Sequence, residues 1–253
     1  MNFLSIFVII FFAGTAFDFF LNQFLEFIDY KNRKAHGKEV PELLAGIVDK
    51  QTLSKTCDYE DAKYKLWKPR NILSTLLGII LVCSGFYWQT LSFINSRITQ
   101  STFLCLLVFG FFISVPAKIL DLPFELYEEF VLEKKFGFST MTLKTWIIDG
   151  IKGFFLSLVL LSVLLGAMTF IFNKFENTWW LFLGITYVAF SLLISVVYPL
   201  FIAPVFNKFS PLPDGELKSL LEVLLKKCGF KSSGLFVMDA SKRSKHSNAY
   251  FTG

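Results

Sequence analysis

Five stretches of this sequence are apolar and long enough to cross a lipid bilayer, and that decides most of what the chain can become. A hydrocarbon core about 30 Å thick takes roughly 20 helical residues at about 1.5 Å each. The stretches are Phe3 to Leu21, Ile72 to Phe93, Thr102 to Val115 continuing through Pro116 towards Leu122, Ile151 to Phe172, and Trp179 to Ala203. The first has no basic leader and no small-residue cleavage site, so it reads as a retained anchor rather than a signal peptide. Pro116 is expected to kink the third, and Trp179-Trp180 opens the fifth as an interfacial anchor. Ordinary soluble domains carry about 25% charged residues. This chain has 18%, with 54% hydrophobic residues, so a single water-soluble globule is excluded. Disorder is excluded too, because disordered chains lack aromatics and this one has 32 Phe, 8 Tyr and 5 Trp. The Phe excess fits a lipid-facing or lipid-binding surface, or a compositional bias of the source.

Loop charges set an orientation. Ten Lys/Arg separate the first two stretches: Lys31, Arg33, Lys34, Lys38, Lys50, Lys55, Lys63, Lys65, Lys68 and Arg70. Arg97 stands alone between the second and third. Lys118, Lys134, Lys135 and Lys144 lie between the third and fourth, and Lys174 alone before the fifth. The tail holds Lys208, Lys218, Lys226, Lys227, Lys231, Lys242, Arg243 and Lys245. Rich and poor loops alternate as the positive-inside rule requires. The expectation is an N-terminus outside, with loops 30–71 and 118–146 and the tail in the cytosol. The net charge of +5 is spread along the chain rather than gathered into a nucleic-acid footprint, so no nucleic-acid partner is expected. Cys57, Cys83, Cys105 and Cys228 form no C-x-x-C pair and read as isolated thiols.

Two segments are helical without being simple spans. Phe17, Leu21, Phe24 and Ile28 interleave with Asp18, Asn22, Glu26 and Asp29 at helical spacing, which predicts that the first helix continues as an amphipathic rod. Asp18 then sits in the last membrane turn, within reach of the interface. From Leu122 to Phe136, Glu125, Glu128, Glu129 and Glu133 share a stripe opposite Leu126, Phe130 and Val131. Such a stripe is either a solvated face or a metal or acid/base site; no His sits among the four, and a like-charged run favours the solvated face.

After Pro204 the composition changes. Asp214 is a candidate N-cap for a helix whose apolar stripe is Leu217, Leu220, Leu221, Leu224 and Leu225, with Gly229 as its C′ residue. Leu235 to Met238 reads as a strand, Ala240 to Ser247 as a basic loop, and Asn248 to Phe251 as a second strand. These elements look like the opening of an α+β domain. The division expected is therefore a membrane-helix part, 1–203, and a following part, 204–253.

Motifs for chemistry are sparse. The two histidines are His36 and His246, and the sequence contains no His-Glu-x-x-His, no G-x-S-x-G and no phosphate-binding glycine loop. His246 beside Ser244 and Ser247 reads as loop structure, since adjacent side chains rarely face one another.

Three blocks nevertheless carry a resemblance. They are Leu122-Pro123-Phe124-Glu125-Leu126-Tyr127 through Phe130 to Phe138, with Thr142, Asp149 and Lys152; Tyr198 to Phe209 with Pro211-Leu212-Pro213 and Glu216-Leu217; and Ser241 to Gly253. Together they resemble the N-terminal half of CAAX prenyl protease 1, an integral-membrane zinc metalloprotease family. Ser139 stands where the family usually has Asn.

The resemblance implies an all-α polytopic membrane protein of five transmembrane helices, followed by the start of a cytosolic α+β metalloprotease domain. It implies that Asn248, Ala249, Tyr250 and Phe251, with His246, form an edge receiving a prenylated or hydrophobic peptide as an added strand, a mode that draws affinity from backbone groups. Glu125 and Glu129 would lie near the cytosolic mouth. Zinc is the implied cofactor, but the family's His-Glu-x-x-His helix and third ligand follow this point. The expectation is therefore a membrane and substrate-binding half, inactive without a C-terminal half, with peptide and membrane lipid as its other partners. It would lie in the endoplasmic reticulum of a eukaryote or the plasma membrane of a bacterium. The alternative is a non-catalytic membrane protein that binds lipidated peptides or modulates a full-length relative. A small transporter is weaker, because no span shows a paired intramembrane charge.

Overall fold

The computed structural model describes residues 3–37, 39–42, 45–230, 232, 234–246 and 249, with side chains from residue 6 onward. It contains five helices long and apolar enough to cross a membrane. In lipid a helix is the natural outcome, since the bilayer core offers no water to unpaired N–H and C=O groups. Two compact units, Met1–Phe136 and Gly137–Gly253, are described in turn.

The first unit opens with α1 (Phe3–His36), which carries the apolar stretch and the amphipathic rod as one helix. Near the end of the apolar stretch Asn22 donates to Asp18 at 3.0 Å, one helical turn away. α2 (Lys50–Cys83) starts at Asp49, whose side chain accepts from the Thr52 amide. It runs antiparallel to α1, as the rungs show: Gln23 meets Asn71, Tyr30 stacks on Tyr64, Arg33 reaches Asp61, and Cys57 donates to the Gly37 carbonyl. Asp61 is buried and takes both Arg33 and Lys34.

The expected span Ile72 to Phe93 is not one helix. α2 stops at Cys83, Gly85 turns the chain with φ of 68°, and α3 (Phe86–Arg97) begins afresh. Gln89 reaches back to the Ser84 carbonyl, occupying a group left open by the break. Hydropathy averages over such a turn and cannot register it. α4 (Thr102–Tyr127) runs as one helix through Pro116 and Pro123, then widens into a π-helical stretch, Glu128–Leu132, before the short α5 (Glu133–Lys135). Ile94, fully buried, lies in α3, which packs against α4. The expected polar connections are thus helical over much of their length.

In the second unit, α6 (Leu143–Lys174) is capped by the Thr142 side chain on the Thr145 amide. It turns into α7 (Trp179–Val197), the turn being packed by Phe175 on Phe182 and Phe172 on Trp179. A second π-helical stretch, Tyr198–Ile202, leads to α8 (Ala203–Phe206). β1 (Phe209–Pro211) and β2 (Phe236–Met238) pair antiparallel, with Ser210 opposite Val237, around α9 (Glu216–Lys227). Leu212 and Asp239 extend that ladder by one backbone bond at each end.

Asp214 does not cap α9. Gly215 occupies the cap position, and Asp214 instead pairs with Lys218 at 2.6 Å. Gly229 adopts φ of 73°, the left-handed conformation expected after α9. The Asn248–Phe251 strand lies outside the described residues except for Ala249, which is exposed and irregular.

Many large apolar side chains face outward. Trp88, Phe111, Phe155, Val159, Ile185 and Leu192 are all exposed, a surface that lipid accepts and water would not.

Gly37 sits where α1 meets α2. A Cβ there would lie 2.4 Å from the Arg33 carbonyl oxygen and 2.6 Å from the Cys57 sulfur. Gly37→Ala should therefore destabilise the first unit by about 1–3 kcal/mol, the usual cost of overpacking, read as a lower thermal midpoint in detergent.

Candidate functional site

The second unit gathers polar groups around Arg243. The chain leaves β2 through a 3₁₀ turn, Ala240–Lys242, closed by the Arg243 and Ser244 amides donating to the Ala240 carbonyl. The Arg243 guanidinium then grips Asp149 on α6 with two bonds, Nε to Oδ2 at 2.6 Å and Nη2 to Oδ1 at 3.1 Å. Nη2 also donates to the Phe206 carbonyl at 2.6 Å, and Nη1 to Asn207 Oδ1 at 3.0 Å. Phe206 ends α8, where carbonyls lack helical partners and welcome a cation. A planar fork suits this set of acceptors, and a lysine ammonium would not reproduce it. The Asp149 carboxylate raises the proton affinity of Arg243 further.

The same residue's backbone joins a second structure. The Thr140 amide donates to the Arg243 carbonyl at 3.0 Å, and the Lys245 amide donates to the Phe138 carbonyl at 2.7 Å. Ser139 and Ser244 form an antiparallel bridge between them, and the Thr140 hydroxyl donates to the Ser241 carbonyl at 2.7 Å. The His246 ring stacks on Phe138, centroids 4.2 Å apart and planes 19° from parallel. The segment expected as a basic loop is thus a tethered strand-like piece. Asn248, Tyr250 and Phe251 lie outside the described residues.

Beside Arg243 lies a cleft of about 230 Å³, lined among others by Lys152, Lys208, Asp239 and Lys242. Its polar groups are largely engaged. Lys152 donates to the Val205 carbonyl, and Asp239 accepts from the Lys208 amide at 2.6 Å and pairs with Lys242 at 2.6 Å. Lys242 first, then the Lys208 amide, hold the Asp239 carboxyl below its ordinary value of 3.8.

The acidic stripe, in the first unit, is not a free solvated face. Arg70 of α2 binds Asp121 at 2.8 Å, with Glu128 at 3.5 Å and Glu125 at 3.9 Å. Lys118 takes Glu125 at 3.1 Å, and the Tyr59 hydroxyl donates to Glu133 at 2.5 Å. Glu129 lies half-buried in the π-helical stretch. Among the described residues no three His, Cys, Asp or Glu converge to hold a metal, so these side chains do not fit a zinc site.

Asp149, Asn207 and Arg70 were not singled out from the sequence by chemistry. The signal that could have found Asp149 is that it is the lone acid of α6, set between Lys144 and Lys152.

A family model described as the CAAX prenyl protease N-terminal region, with five membrane helices, matches residues 29–208, more than half of the chain. The chain belongs to the CAAX prenyl protease 1 family. CAAX prenyl protease 1 of Saccharomyces cerevisiae is 33% identical over 241 residues, which cover 91% of this chain and 53% of that protein. The human CAAX prenyl protease 1 homolog is 31% identical over 227 residues, covering 85% and 46% respectively. The crystal structure of S. mikatae Ste24p superposes with a TM-score of 0.85 at 33% identity, covering 95% of this chain and 56% of that one. The chain spans about half the length of the CAAX prenyl protease relatives it matches. It is an integral multi-pass membrane protein by its five helices and its family.

The depressed Asp239 carboxyl makes a pH prediction. Its contribution is present above its ordinary value of 3.8 and is lost as pH falls through the lower folded-state value. Protection of the Lys208 amide from hydrogen exchange should therefore fall as the pH drops below 3.8, and in Asp239→Asn it should no longer vary with pH.

Proposed function

We propose that this chain supplies the membrane and substrate-binding part of a zinc metalloendopeptidase that removes the C-terminal tripeptide of prenylated CAAX proteins. One observation carries the reading. The antiparallel pairing of Phe138–Thr140 with Arg243–Lys245 stands directly ahead of residues 248–251. A segment already in strand register and held by side chains is a suitable platform for a peptide added as a further strand. His246, Asn248, Ala249, Tyr250 and Phe251 are the contact residues in this proposal, and Glu125 and Glu129 are proposed cytosolic-mouth residues. The carboxylate of Glu125 serves there as part of the Arg70 cluster rather than as a free acid.

Residues 1–203 form the membrane part and 204–253 the beginning of a cytosolic α+β part. The N-terminus faces outward and the lysine-rich segments face the cytosol, by the alternation of loop charge. The endoplasmic reticulum membrane is the proposed location, since the matching relatives include yeast and human proteins. Zinc and its general base would come from a His-Glu-x-x-His motif outside residues 1–253, so on these residues alone neither catalytic zinc binding nor hydrolysis is expected.

Complementation tests this directly. The chain co-expressed with the C-terminal half of the yeast relative should cleave a farnesylated CAAX peptide in the presence of zinc. Each half alone should not. Two stably inserted halves that give no cleavage would refute the reading. Orientation has its own check: a glycosylation acceptor placed before Met1 should be modified, and one inserted at residues 39–42 should remain unmodified.

A further inference from the structure

We propose that Arg243 is a positioning residue, which sets the register of residues 241–246 through Asp149 and thereby aims the chain that follows. Its bearing on substrate rests on the function proposed above for residues 248–251; the clamp itself does not.

Arg243 acts in two directions at once. Its side chain is committed to α6 through both Asp149 oxygens, to the end of α8 through the Phe206 carbonyl, and to Asn207 just beyond. Its carbonyl accepts from Thr140, inside the short ladder with Phe138–Thr140. One residue thus ties a strand-like segment to the start of one membrane helix and the end of another. Four of the five N–H donors a guanidinium carries are used in these bonds. Arg243 is therefore not poised to bind a substrate carboxylate, which is the other role an arginine beside a peptide edge could have. Its side chain is 22% exposed and that of Asp149 17% exposed, so the pair is shielded enough for geometry rather than diffuse attraction to set its strength. Sequence distance matters as well. The pair spans 94 residues, so it fixes a relation that no local turn could impose.

The ladder gives a direct readout. In the full 253-residue chain in lipid nanodiscs, Arg243→Met should speed amide exchange at Thr140 and Lys245 by about tenfold or more, while α6 and α7 keep their protection. Asp149→Asn should do the same, and the double variant should exchange no faster than Arg243→Met alone, since both remove one interaction. Arg243→Lys, which keeps charge and loses the fork, should fall between. It also carries the test if Arg243→Met does not insert.

A second arm measures affinity for a dansyl-labelled, S-farnesylated CAAX peptide. The same variants should lose about tenfold, again without additivity. Unchanged exchange at Thr140 and Lys245 overturns the clamp. Losses of peptide affinity that add in the double variant overturn the positioning role, because Arg243 would then touch the peptide itself. If the unaltered chain binds no peptide while exchange responds as described, the proposed function fails and the clamp stands.

Discussion

The hydrocarbon core of a bilayer offers nothing to hydrogen-bond with, and the rest of this structure follows from that. Backbone groups must find partners within their own helix, so the apolar stretches are helices and the irregular backbone gathers at their ends. Beyond the apolar stretches, polar side chains on α1, α2, α4 and α5 meet across helix pairs: Gln23 with Asn71, Arg33 and Lys34 with buried Asp61, Arg70 with Asp121, and Tyr59 with Glu133. Partner numbers fall on one helix as they rise on the next, so the rungs also fix antiparallel register. With lipid-facing apolar groups gaining nothing from helix association, these rungs supply specificity that a soluble core would obtain from packing.

In the second unit a single node joins the polar groups. The end of α8 presents carbonyls, α6 presents one carboxylate, and Arg243 satisfies both. Its backbone meanwhile extends the Phe138–Thr140 pairing. The stack of His246 on Phe138 continues that pairing with a side-chain contact. Asp239 performs a similar service at the other side of the 3₁₀ turn, joining the Lys208 amide to Lys242. The polar segment after β2 is thus held by two charged residues, each bonded to both backbone and side chain.

How much of this could be read from sequence depended on the range of the interaction. Hydrophobic length found five apolar helices but ran the second across a break, and helical periodicity carried α1 beyond Leu21 correctly. Gly229 was legible because its left-handed turn is local. The break at Ser84–Gly85 was hidden by apolar residues on both sides, and only the turn geometry reveals it. Asp214 looked like a cap because caps are short polar residues before an apolar run. Its pairing with Lys218 competed and won. The acidic stripe looked free because Arg70, which answers it, lies about fifty residues earlier on another helix. The Arg243–Asp149 pair was hidden for the same reason: matching blocks contained both residues, but no spacing rule links them. Family resemblance supplied the proposal of a peptide edge, which composition and periodicity could not.

Both lipid-length helices that carry π-helical stretches, α4 and α7, have them at their C-terminal ends, at Glu128–Leu132 and Tyr198–Ile202. A π turn holds one residue more than an α turn along the same path. Deleting one residue from the middle of α4 would swing every later side chain by about 100°. Deleting one from the wide turn would relax it to an ordinary α turn and leave the faces beyond it where they were. These stretches are therefore places where the chain can change length by a residue during evolution while Glu133 keeps facing Tyr59, and Phe206 keeps facing Arg243.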